Sequence, residues 1–414
     1  MIECQQMIEC QQIIKFFRIG TSFFRYQKGS FTLPQGTIIL KKILFIPITL
    51  LFFSCGEVKT QTTESGLGLD LEVLADGFEI PWAIDVISED DYLFTERMGA
   101  LYRYRNGEVN KVDGLPESRT FTTDRPYGGM MDISLHPEFE SNQMAYLTYV
   151  NEDYHLSVAR FRLKENSAQD VEIIFKSNQF AIGSRIAWQD NTHFFFSFGA
   201  GGAPGPDPGP QDLNDPRGKI FRLMHDGSIP EDNPVFPGRS EPSGIWTYGH
   251  RDPQGLFYDT DNTTLYSNEH GPLGGDEFNV ITKGGNYGWP LFSYGVNYDL
   301  TKVSDMTEEE AAKNTILPIK HWTPDFRLAP SCLIRLKNSN FEPWNGSFLM
   351  GALTYQHLVL YNPETDETEI VLPKAGRVRD IAQLPSGNLV ILIDENSPRL
   401  YSKGRLVKLT LKTN

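Results

Sequence analysis

Two arginines near the C-terminus are spaced so that they could bind an anion together. Arg377 and Arg379 lie in the segment GRVRDIAQL and are separated by a single valine. Alternate residues of a β-strand point to the same face of a sheet, so both guanidinium groups would project in one direction. Guanidinium groups bind carboxylates and phosphates through charge-assisted hydrogen bonds. The spacing leaves a second interpretation open, in which the pair faces solvent or is neutralised by the adjacent Asp380.

The segments that must hold these arginines are short, apolar and separated by turns. From Leu69 onward, runs rich in Val, Ile, Phe, Tyr and Leu alternate with clusters of Gly, Pro, Asn and Asp, which is typical of all-β proteins. Helical periodicity is confined to the region of Thr307–Lys313. The predicted strands are residues 83–87, 91–96, 101–105, 144–150, 157–163, 193–199, 219–224, 347–353, 358–362, 380–384 and 388–394.

The predicted strands repeat at roughly 50 to 60 residues, which is the length of one four-stranded propeller blade. In several repeats a strand leads to a polar turn, such as Ser386-Gly387-Asn388, and then to a more apolar strand. We therefore predict one β-propeller, with the Pro/Gly-rich stretch Gly201–Pro210 as a long loop at one of its mouths. A pair of β-sandwich domains is the alternative, but no segment has the composition of an interdomain linker.

The overall charge excludes two classes of binding partner. The chain has 53 acidic and 38 basic residues and a formal net charge of −15, and it has no basic stripe that could follow a phosphate backbone. Nucleic acids and anionic membrane surfaces are therefore not expected to bind. Of the four cysteines, only Cys332 lies within the predicted propeller, so we expect no disulfide framework.

An apolar segment near the N-terminus has the features of an export signal. In IILKKILFIPITLLFFSC, residues 38–55, two lysines precede an apolar run that is too short to span a bilayer. The run ends at Ser54-Cys55-Gly56, which resembles a lipobox with Cys55 as the lipidated first residue of the mature protein. The alternative is a core strand with an incidental cysteine. We expect a periplasmic or outer-membrane lipoprotein that contacts the membrane only through an N-terminal lipid anchor.

These features divide the chain into four parts. Residues 1–37 contain a tandem MIECQQ repeat and are a doubtful upstream extension, and residues 38–55 are the expected signal peptide. Residues 56–68 are the expected linker. Residues 69–414 contain all of the predicted strands and are the expected propeller.

Three motifs within residues 246–290 carry a family resemblance. The motifs GHRDPQG, EHGPLGGDE and KGGNYGWP are similar to the signature region of the glucose/sorbosone dehydrogenases, soluble enzymes that use pyrroloquinoline quinone (PQQ). Residues 77–86, 128–139, 211–236 and 376–394 also match, in family order. The resemblance implies an all-β, six-bladed propeller of four-stranded antiparallel blades with its site at the central mouth, and a small-molecule sugar or polyol as substrate.

The resemblance also implies which residues contact PQQ, a planar ortho-quinone with three carboxylates. Asp252 stands where the family has asparagine, which replaces an amide that can donate hydrogen bonds with an anion that only accepts them. Beside a tricarboxylate this change is expected to weaken binding. The cofactor-binding residues implied by the resemblance are Arg251, Asp252, Tyr287, Arg377 and Arg379.

A Ca²⁺ ion is the second cofactor that the resemblance implies. The family holds it at the Gly-Pro of the EHGP segment through backbone carbonyls, here those of Gly271 and Pro272, and Asp276 also lies at a family site position. A hard cation requires oxygen ligands and no particular side chains, so these positions can serve it. Considered in isolation, the segment would be a Gly/Pro turn with a surface acid.

The resemblance fails at the residue that should accept the substrate's proton. The family has a histidine as general base at the head of a His-x-Gly/Ser-Gly/Ser-Arg motif, whereas residues 181–185 of this chain are AIGSR, with Ala181 at the base position. A positioned base contributes about 10² to 10⁴ in rate, so sugar oxidation is expected to be slow. Three further departures are Tyr127 in place of glutamine, Thr354 in place of lysine and Ala200 in place of aspartate.

Two hypotheses about function follow, and a third ranks below them. The first is a PQQ- and Ca²⁺-dependent oxidoreductase that acts on an aldose or polyol with an impaired catalytic set. The second is a non-catalytic propeller that binds a carbohydrate or a protein through the same mouth. A Ca²⁺-dependent lactonase has no side-chain cluster in its favour. No substitute base is expected from His136, His250 or His270, because active relatives also have histidine there.

Overall fold

Neighbouring strands in the sequence pair antiparallel, because short turns join each apolar run to the next. The computed structural model describes residues 58–122, 126–200, 207–323, 326–395 and 403–412, all within one compact unit, Cys55–Asn414. In chain order the strands are β1 (Val58–Thr62), β2 (Gly68–Phe78), β3 (Pro81–Ser88), β4 (Asp91–Glu96), β5 (Ala100–Arg105), β6 (Glu108–Lys111), β7 (Thr120–Thr122), β8 (Pro126–Gly128), β9 (Met130–Leu135), β10 (Met144–Val150), β11 (Leu156–Lys164), β12 (Ser167–Lys176), β13 (Ile186–Trp188), β14 (His193–Phe198), β15 (Lys219–Met224), β16 (Ile245–Tyr248), β17 (Pro253–Asp259), β18 (Thr264–Glu269), β19 (Asp276–Ile281), β20 (Lys320–Trp322), β21 (Ile334–Arg335), β22 (Phe348–Ala352), β23 (His357–Asn362), β24 (Glu367–Leu372), β25 (Arg377–Gln383), β26 (Leu389–Asp394) and β27 (Gly404–Leu411). Connections contain helices α1 (Phe139–Asn142) and α2 (Glu308–Asn314) and the 3₁₀ helices Gly209–Gln211 and Glu342–Trp344.

Six of the sheets are the blades of a propeller. Blades 1 to 5 each contain four consecutive strands, namely β3–β6, β9–β12, β13–β16, β17–β20 and β21–β24. Blade 6 has the strand order β1-β2-β27-β26-β25, and a separate two-stranded sheet, β7–β8, lies between blades 1 and 2 in the sequence. The predicted six-bladed antiparallel propeller is confirmed, with one additional strand, β1, in blade 6.

Blade 6 joins the two ends of the described chain. Strand β2 pairs with the last strand, β27, in a register that runs from Leu69↔Leu411 to Phe78↔Gly404. Strand β1 adds to the other edge of β2. Residues 58–62 belong to the expected linker, and their polar sequence VKTQT forms this outer edge strand, which needs no apolar face.

The first strand of each blade lies nearest the propeller axis. Residues of β3, β9, β13, β17, β21 and β25 together line one cavity of about 610 Å³. The sheets are packed through large apolar side chains, and Phe161, Phe194, Phe196 and Phe198 are fully buried. Burial of one such side chain contributes about 1.5–3 kcal/mol, so these contacts hold neighbouring blades together.

Arg185 connects all six blades. It immediately precedes β13 in blade 3, and only 5% of its surface is exposed. Its guanidinium donates to two carboxylates and to four backbone carbonyls, which belong to the other blades or, for Ser331, to the segment that leads into blade 5. These acceptors are Trp82 O at 3.5 Å (blade 1), Asp132 Oδ1 at 3.1 Å (blade 2), Gln254 O at 2.9 Å (blade 4), Ser331 O at 2.5 Å (before blade 5), and Arg379 O at 2.9 Å and Asp380 Oδ2 at 2.8 Å (blade 6).

The predicted elements agree closely with those observed. The predicted strands 91–96, 144–150 and 219–224 have the bounds of β4, β10 and β15. The predicted strand 380–384 begins earlier, at Arg377, so both arginines of the GRVRD segment lie in β25. The helical periodicity near residue 310 corresponds to α2, which Thr307 and Glu310 begin with a capping box.

The predictions for the N-terminal segment concern residues outside those that the structure describes. The upstream extension, the signal peptide and the lipidated Cys55 lie outside the described residues, as do residues 201–206 of the predicted loop. Within the described ranges, no helix has the length and apolar character needed to cross a membrane.

Candidate functional site

Strand β25 directs both of its arginines to one carboxylate. Arg379 Nη2 and Nε donate to Asp394 Oδ2 at 2.6 and 3.1 Å, and Arg377 Nε lies 3.7 Å from the same oxygen. Arg377 Nη1 also donates to Leu353 O at 2.9 Å. Asp380 does not neutralise this pair, because its carboxylate contacts Arg185. The i, i+2 spacing therefore places both guanidinium groups together, as the pattern predicted for a strand.

A third arginine, Arg97, lies beside this pair and was not found from the sequence. Its guanidinium carbon lies 3.9 Å from the centroid of the Trp82 ring, and Nη2 donates to Ile182 O at 3.0 Å. Burial lowers the pKa of Arg97 to about 9, and the positive charges of Arg379 and Arg377 act in the same direction. The only sequence signal for Arg97 is its position directly after predicted strand 91–96.

Arg251 and Asp252 lie at the start of blade 4. Arg251 Nη1 donates to His270 O at 2.9 Å, and the guanidinium carbon is 5.4 Å from the centroid of the Trp289 ring. Asp252 is 2% exposed, and its Oδ1 accepts from Gln254 Nε2 at 2.9 Å. The negative charge of Asp252 raises the pKa of Arg97, which opposes the effect of burial. Asp252 therefore lies close enough to Arg97 for the two charges to interact.

Gly199 makes room for the Asp252 carboxylate. A Cβ atom at Gly199 would lie 2.2 Å from Asp252 Oδ1. The next residue, Ala200, donates its backbone N–H to Arg251 O at 2.7 Å. Ala200 stands where the family has an aspartate. Its segment therefore packs directly against the segment that contains Asp252.

These side chains form a group that we call the mouth cluster, and its formal charge is positive. Among the described residues that meet here, four guanidinium groups are set against three carboxylates, including Glu269, which accepts from Arg251 N at 2.8 Å, so these seven side chains carry one formal positive charge in excess. Next to the cluster, Trp82 Nε1 is buried and has no hydrogen-bond partner within the described part of the chain. An excess of cations beside a buried donor is suited to an anionic ligand with oxygen acceptors. The mouth cluster consists of Arg97, Arg251, Arg377, Arg379, Asp252, Asp394 and Glu269.

The predicted metal-binding turn is held rigidly by a carboxylate. Asp276 Oδ1 accepts from Gly271 N at 3.0 Å, and its Oδ2 accepts from Ala329 N at 2.9 Å. Asp276 thus fixes the turn that contains Gly271 and Pro272 and ties it to the segment before blade 5. Among the described residues, no group of three or more His, Cys, Asp or Glu side chains could hold a metal ion. A cation at this turn would depend on backbone carbonyl oxygens.

Two glutamates next to this turn, the buried Glu269 and the half-buried Glu277, could not be found from the sequence. Asn279 Nδ2 donates to Glu269 Oε1 at 3.1 Å and to Glu277 Oε2 at 3.2 Å, which brings the two carboxyl groups together. Burial raises the pKa of Glu277 well above its ordinary range, and the charge of Glu269 acts in the same direction. Two such carboxyl groups can share a proton or hold a cation. Their spacing across two strands, β18 and β19, gives no local sequence signal.

Tyr287 packs against His250, and its hydroxyl bonds to the backbone of blade 4 instead of facing the mouth. Its hydroxyl donates to Val280 O at 2.6 Å and accepts from Thr282 N at 2.8 Å. Its ring stacks on that of His250, with centroids 4.4 Å apart. Burial raises the pKa of the Tyr287 hydroxyl. Through these contacts the Tyr287 side chain holds blade 4 together.

The position at which the resemblance places the general base is buried in the hydrophobic core. Ala181 has no exposed surface and packs with the apolar side chains of blades 1 to 3. Its neighbour Ile182 accepts the hydrogen bond from Arg97. Tyr127 is half-buried on β8, and Thr354 is exposed directly after Leu353, whose carbonyl contacts Arg377. Of the departures from the family pattern, Ala181 and Ala200 are therefore buried and Thr354 is exposed.

The nearby histidines hold the backbone or other side chains. His250 lies between Thr247 Oγ1 at 2.9 Å and Glu269 Oε1 at 3.1 Å, and it is fully buried. His270 Nε2 lies 2.7 Å from Pro330 O, which ties blade 4 to the segment before blade 5. His136 Nε2 lies 2.9 Å from Asn191 O, and neither residue belongs to the mouth cluster.

The chain is similar in sequence and in structure to known proteins. The family model described as glucose/sorbosone dehydrogenase matches residues 78–402. An aldose sugar dehydrogenase from Escherichia coli is 30% identical over 352 residues, which cover 80% of this chain and 92% of that protein. Quinoprotein glucose dehydrogenase B from Acinetobacter calcoaceticus is 58% identical over 73 residues, 18% of this chain and 15% of that protein. The apo crystal structure of the soluble Escherichia coli aldose sugar dehydrogenase is similar with a TM-score of 0.72 and 29% identity, and the match covers 83% of this chain and 100% of that chain.

Proposed function

Because the chain belongs to the glucose/sorbosone dehydrogenase family, we propose that it is an oxidoreductase that uses PQQ and Ca²⁺ to oxidise an aldose or a polyol. We propose further that this oxidation is slow and takes place in the cell envelope. The observation that carries the proposal is the positively charged mouth cluster, which suits an anionic cofactor with several carboxylates.

The residues present at the mouth fit PQQ. Arg377 and Arg379 both reach one carboxylate oxygen of Asp394, so their guanidinium groups lie side by side, where a carboxylate of the cofactor would meet both. Arg251 adds a guanidinium from blade 4, and the buried indole N–H of Trp82 adds a neutral donor. Bidentate guanidinium–carboxylate pairs are among the strongest polar contacts in proteins. These residues would hold and orient the cofactor, which when bound supplies the hydride acceptor.

Backbone carbonyls would hold the Ca²⁺ ion. Gly271 and Pro272 lie in the turn that Asp276 fixes through its contacts with Gly271 N and Ala329 N. Ca²⁺ accepts backbone carbonyl oxygens as ligands and usually completes its coordination with water or other oxygens. In this arrangement Asp276 keeps the carbonyl groups in place, and its carboxylate contributes negative charge to the site.

The proposed slow rate follows from Ala181. An alanine methyl group cannot accept the hydroxyl proton of the sugar, and the loss of a positioned base costs about 10² to 10⁴ in rate. The proton must then pass to water or to a group that is less well placed. The mouth cluster would still bind and orient the cofactor, so binding and catalysis are expected to be separable in this protein.

The proposed location depends on the N-terminal segment. Two lysines, Lys41 and Lys42, precede an apolar run of signal-peptide length, and the run ends at Cys55. We propose that Cys55 is lipidated and that the propeller is anchored to the envelope through this lipid. Sugars are available to a protein in this location before they enter the cytoplasm.

A second function is favoured by the burial of Ala181. A fully buried alanine at this position leaves neither a base nor a cleft where the family places its base. A propeller of this kind could serve as an envelope protein that binds a carbohydrate or a protein partner at the same mouth without oxidising it.

One experiment distinguishes the two functions. The purified protein, expressed from Cys55 onward, is titrated with PQQ in the presence of Ca²⁺ while the quinone absorbance is followed, and a panel of aldoses and polyols is then added with an electron-accepting dye. Binding with slow dye reduction supports the dehydrogenase. Binding without turnover of any sugar supports the binding protein, and failure to bind PQQ refutes the cofactor assignment.

A further inference from the structure

We propose that the cavity on the propeller axis is a second binding site of this protein, and that it takes a small organic cation with an ammonium head and an alkyl body. The cavity has a volume of about 610 Å³, which is within the range of about 300–1,000 Å³ that small-molecule sites occupy. It lies at the other end of the ring from the mouth cluster, so the inference goes beyond the proposed dehydrogenase function.

Two inner strands show where this cavity lies. Strand β25 begins with two arginines of the mouth cluster, and its residues 380–383 line the cavity. Strand β17 follows Arg251 and Asp252 of the mouth cluster, and its residues 256–258 line the cavity. Arg185 lies between the two, because it lines the cavity and donates to carbonyls near the start of both strands. The mouth cluster and the cavity are therefore separate compartments on one axis.

The cavity is closed at Arg185 and open at the opposite end. At the closed end, Asp132, Arg185 and Asp380 are each 7% exposed or less. Toward the open end, Val86 and Ala382 keep part of their surface exposed. Most of the wall is apolar, which suits the alkyl part of a ligand. The apolar residues that line it include Ile84, Ile133, Ile186, Leu256, Leu333 and Ile381.

The charged groups at the closed end carry an excess of negative charge. Three carboxylates and one guanidinium line it, those of Asp85, Asp132, Asp380 and Arg185. A guanidinium has five N–H groups, and Arg185 already makes six hydrogen bonds to two of the carboxylates and to backbone carbonyls. Arg185 therefore cannot also neutralise Asp85. The other arginine of the wall, Arg335, donates to Asp259, which lies outside this group.

Asp85 is the carboxylate that is left for a ligand. Its two oxygens accept from the backbone N–H groups of Val86 and Leu135, each at 2.7 Å, and these donors are neutral. Burial raises the pKa of Asp85 to about 6, and the charge of Asp380 acts in the same direction. Asp85 is half-buried, so a ligand in the cavity can reach it. An ammonium group would offset its charge and bind the lone pairs that remain on the carboxylate oxygens.

The wall favours an organic cation over a metal ion. Within the part of the chain that the structure describes, no group of three or more His, Cys, Asp or Glu side chains could hold a metal. A metal ion would also leave the apolar wall in contact with water, whereas an alkyl chain would cover it. The ligand class is therefore a primary alkylamine, with its charged head at Asp85 and its chain directed toward the open end.

The first test compares three probes with the same chain length. Purified wild type is titrated with n-hexylammonium, hexan-1-ol and hexanoate in separate calorimetric experiments at about pH 8, where Asp85 is ionised. We expect hexylammonium to bind at least about tenfold more tightly than either of the other two probes. The absence of detectable hexylammonium binding, or equal binding of hexan-1-ol, overturns the proposal. This comparison needs no variant.

The second test removes the charge of Asp85. Asp85→Asn should bind hexylammonium about tenfold more weakly or worse, and its affinity for hexan-1-ol should be unchanged. The matched control is Glu108→Gln, because Glu108 is an exposed acid on β6, the outer strand of the same blade. Glu108→Gln should bind hexylammonium like wild type. Unchanged hexylammonium affinity in folded Asp85→Asn, with folding checked by thermal unfolding, refutes the assignment of the ammonium head to Asp85.

The third test locates the bound probe without a variant. Crystals of wild type are grown with 6-bromohexylammonium, and the anomalous signal of bromine marks the end of the alkyl chain. Bromine inside the cavity that residues 256–258 and 380–383 line supports the proposal. Bromine at the mouth cluster or on the outer surface overturns it. If Asp85→Asn does not fold, the position of the bromine decides.

Discussion

Replacement of Arg185 by methionine should destabilise the propeller in a pH-dependent way. The change removes hydrogen bonds to four backbone carbonyls and leaves Asp132 and Asp380 without their guanidinium partner. The side chains of these two aspartates are only 8% and 10% exposed. Removal of one member of a buried ion pair costs about 3–5 kcal/mol, because the other member stays buried without compensation.

The expected change in melting temperature follows from the size of the domain. The unfolding entropy of roughly 350 residues is about 0.7 kcal/mol/K, from about 2.1 cal/mol/K per residue. A loss of about 3–5 kcal/mol therefore lowers Tm by about 4–7 °C near neutral pH. Differential scanning calorimetry or circular dichroism measures this change, and Arg105→Met, with an exposed arginine on β5, is the matched control.

The pH dependence provides the sharper test. Burial raises the pKa of Asp132, and Arg185 is the largest influence that lowers it. A carboxyl group with a raised pKa in the folded state contributes stability at low pH, and this stability is lost as the pH rises from about 4 through the raised value. Without Arg185 the pKa of Asp132 rises further. Asp132 is then neutral at about pH 5 and needs no partner, so Arg185→Met should cost less at about pH 5 than at about pH 8.5.

A double variant completes the design. Asp132→Asn added to Arg185→Met should recover part of the lost stability at about pH 8.5, because it removes a buried charge. A loss of Tm below about 2 °C, or an equal loss at both pH values, would show that Arg185 does not hold the blades as described.

Three further predictions concern the site and the location of the protein. Ala181→His should raise the rate of sugar oxidation by about 10² in a protein that binds PQQ. The larger side chain should lower the free energy of unfolding by about 1–3 kcal/mol, because the methyl group of Ala181 is fully buried. An unchanged rate with bound quinone would show that position 181 is not the base position. Asp252→Asn should tighten PQQ binding by about tenfold, since it removes a buried anion beside a tricarboxylate, and weaker binding in the same absorbance titration would contradict this reasoning. Mass spectrometry of membrane-extracted protein should find Cys55 as a lipidated N-terminal residue, and an intact N-terminus on cytosolic protein would rule out the proposed export.

The sequence was sufficient to predict the propeller because its strands carry local signals. Short apolar runs such as residues 91–96 and 219–224 are bounded by turn residues and became β4 and β15 with the same bounds. Strand β1 was missed because its sequence VKTQT is polar, and an edge strand in water needs no apolar face. The boundary of β25 was placed too late because Arg377 and Arg379 interrupt the apolar pattern.

The site could be predicted only in part, because its contacts join distant segments. The spacing of Arg377 and Arg379 indicated a shared direction, but their partner Asp394 belongs to the next strand and has no pattern of its own. Arg97 is a single arginine after a strand, and its contacts with Trp82 and Ile182 exist only in the folded ring. The glutamates Glu269 and Glu277 meet across paired strands, and linear spacing does not show such a pairing.

The pairing of β2 with β27 in blade 6 has a consequence for the time at which this protein can finish folding. Strand β2 (Gly68–Phe78) precedes all five consecutive-strand blades in the chain, and its hydrogen-bonding partner β27 (Gly404–Leu411) follows them. The ring therefore cannot close until the whole segment from β2 to β27 is available for folding. Blades 1 to 5 contain only consecutive strands and can form in order, whereas β2 must wait for its partner. A chain that stops before Gly404 leaves the propeller open, however well its first five blades are formed.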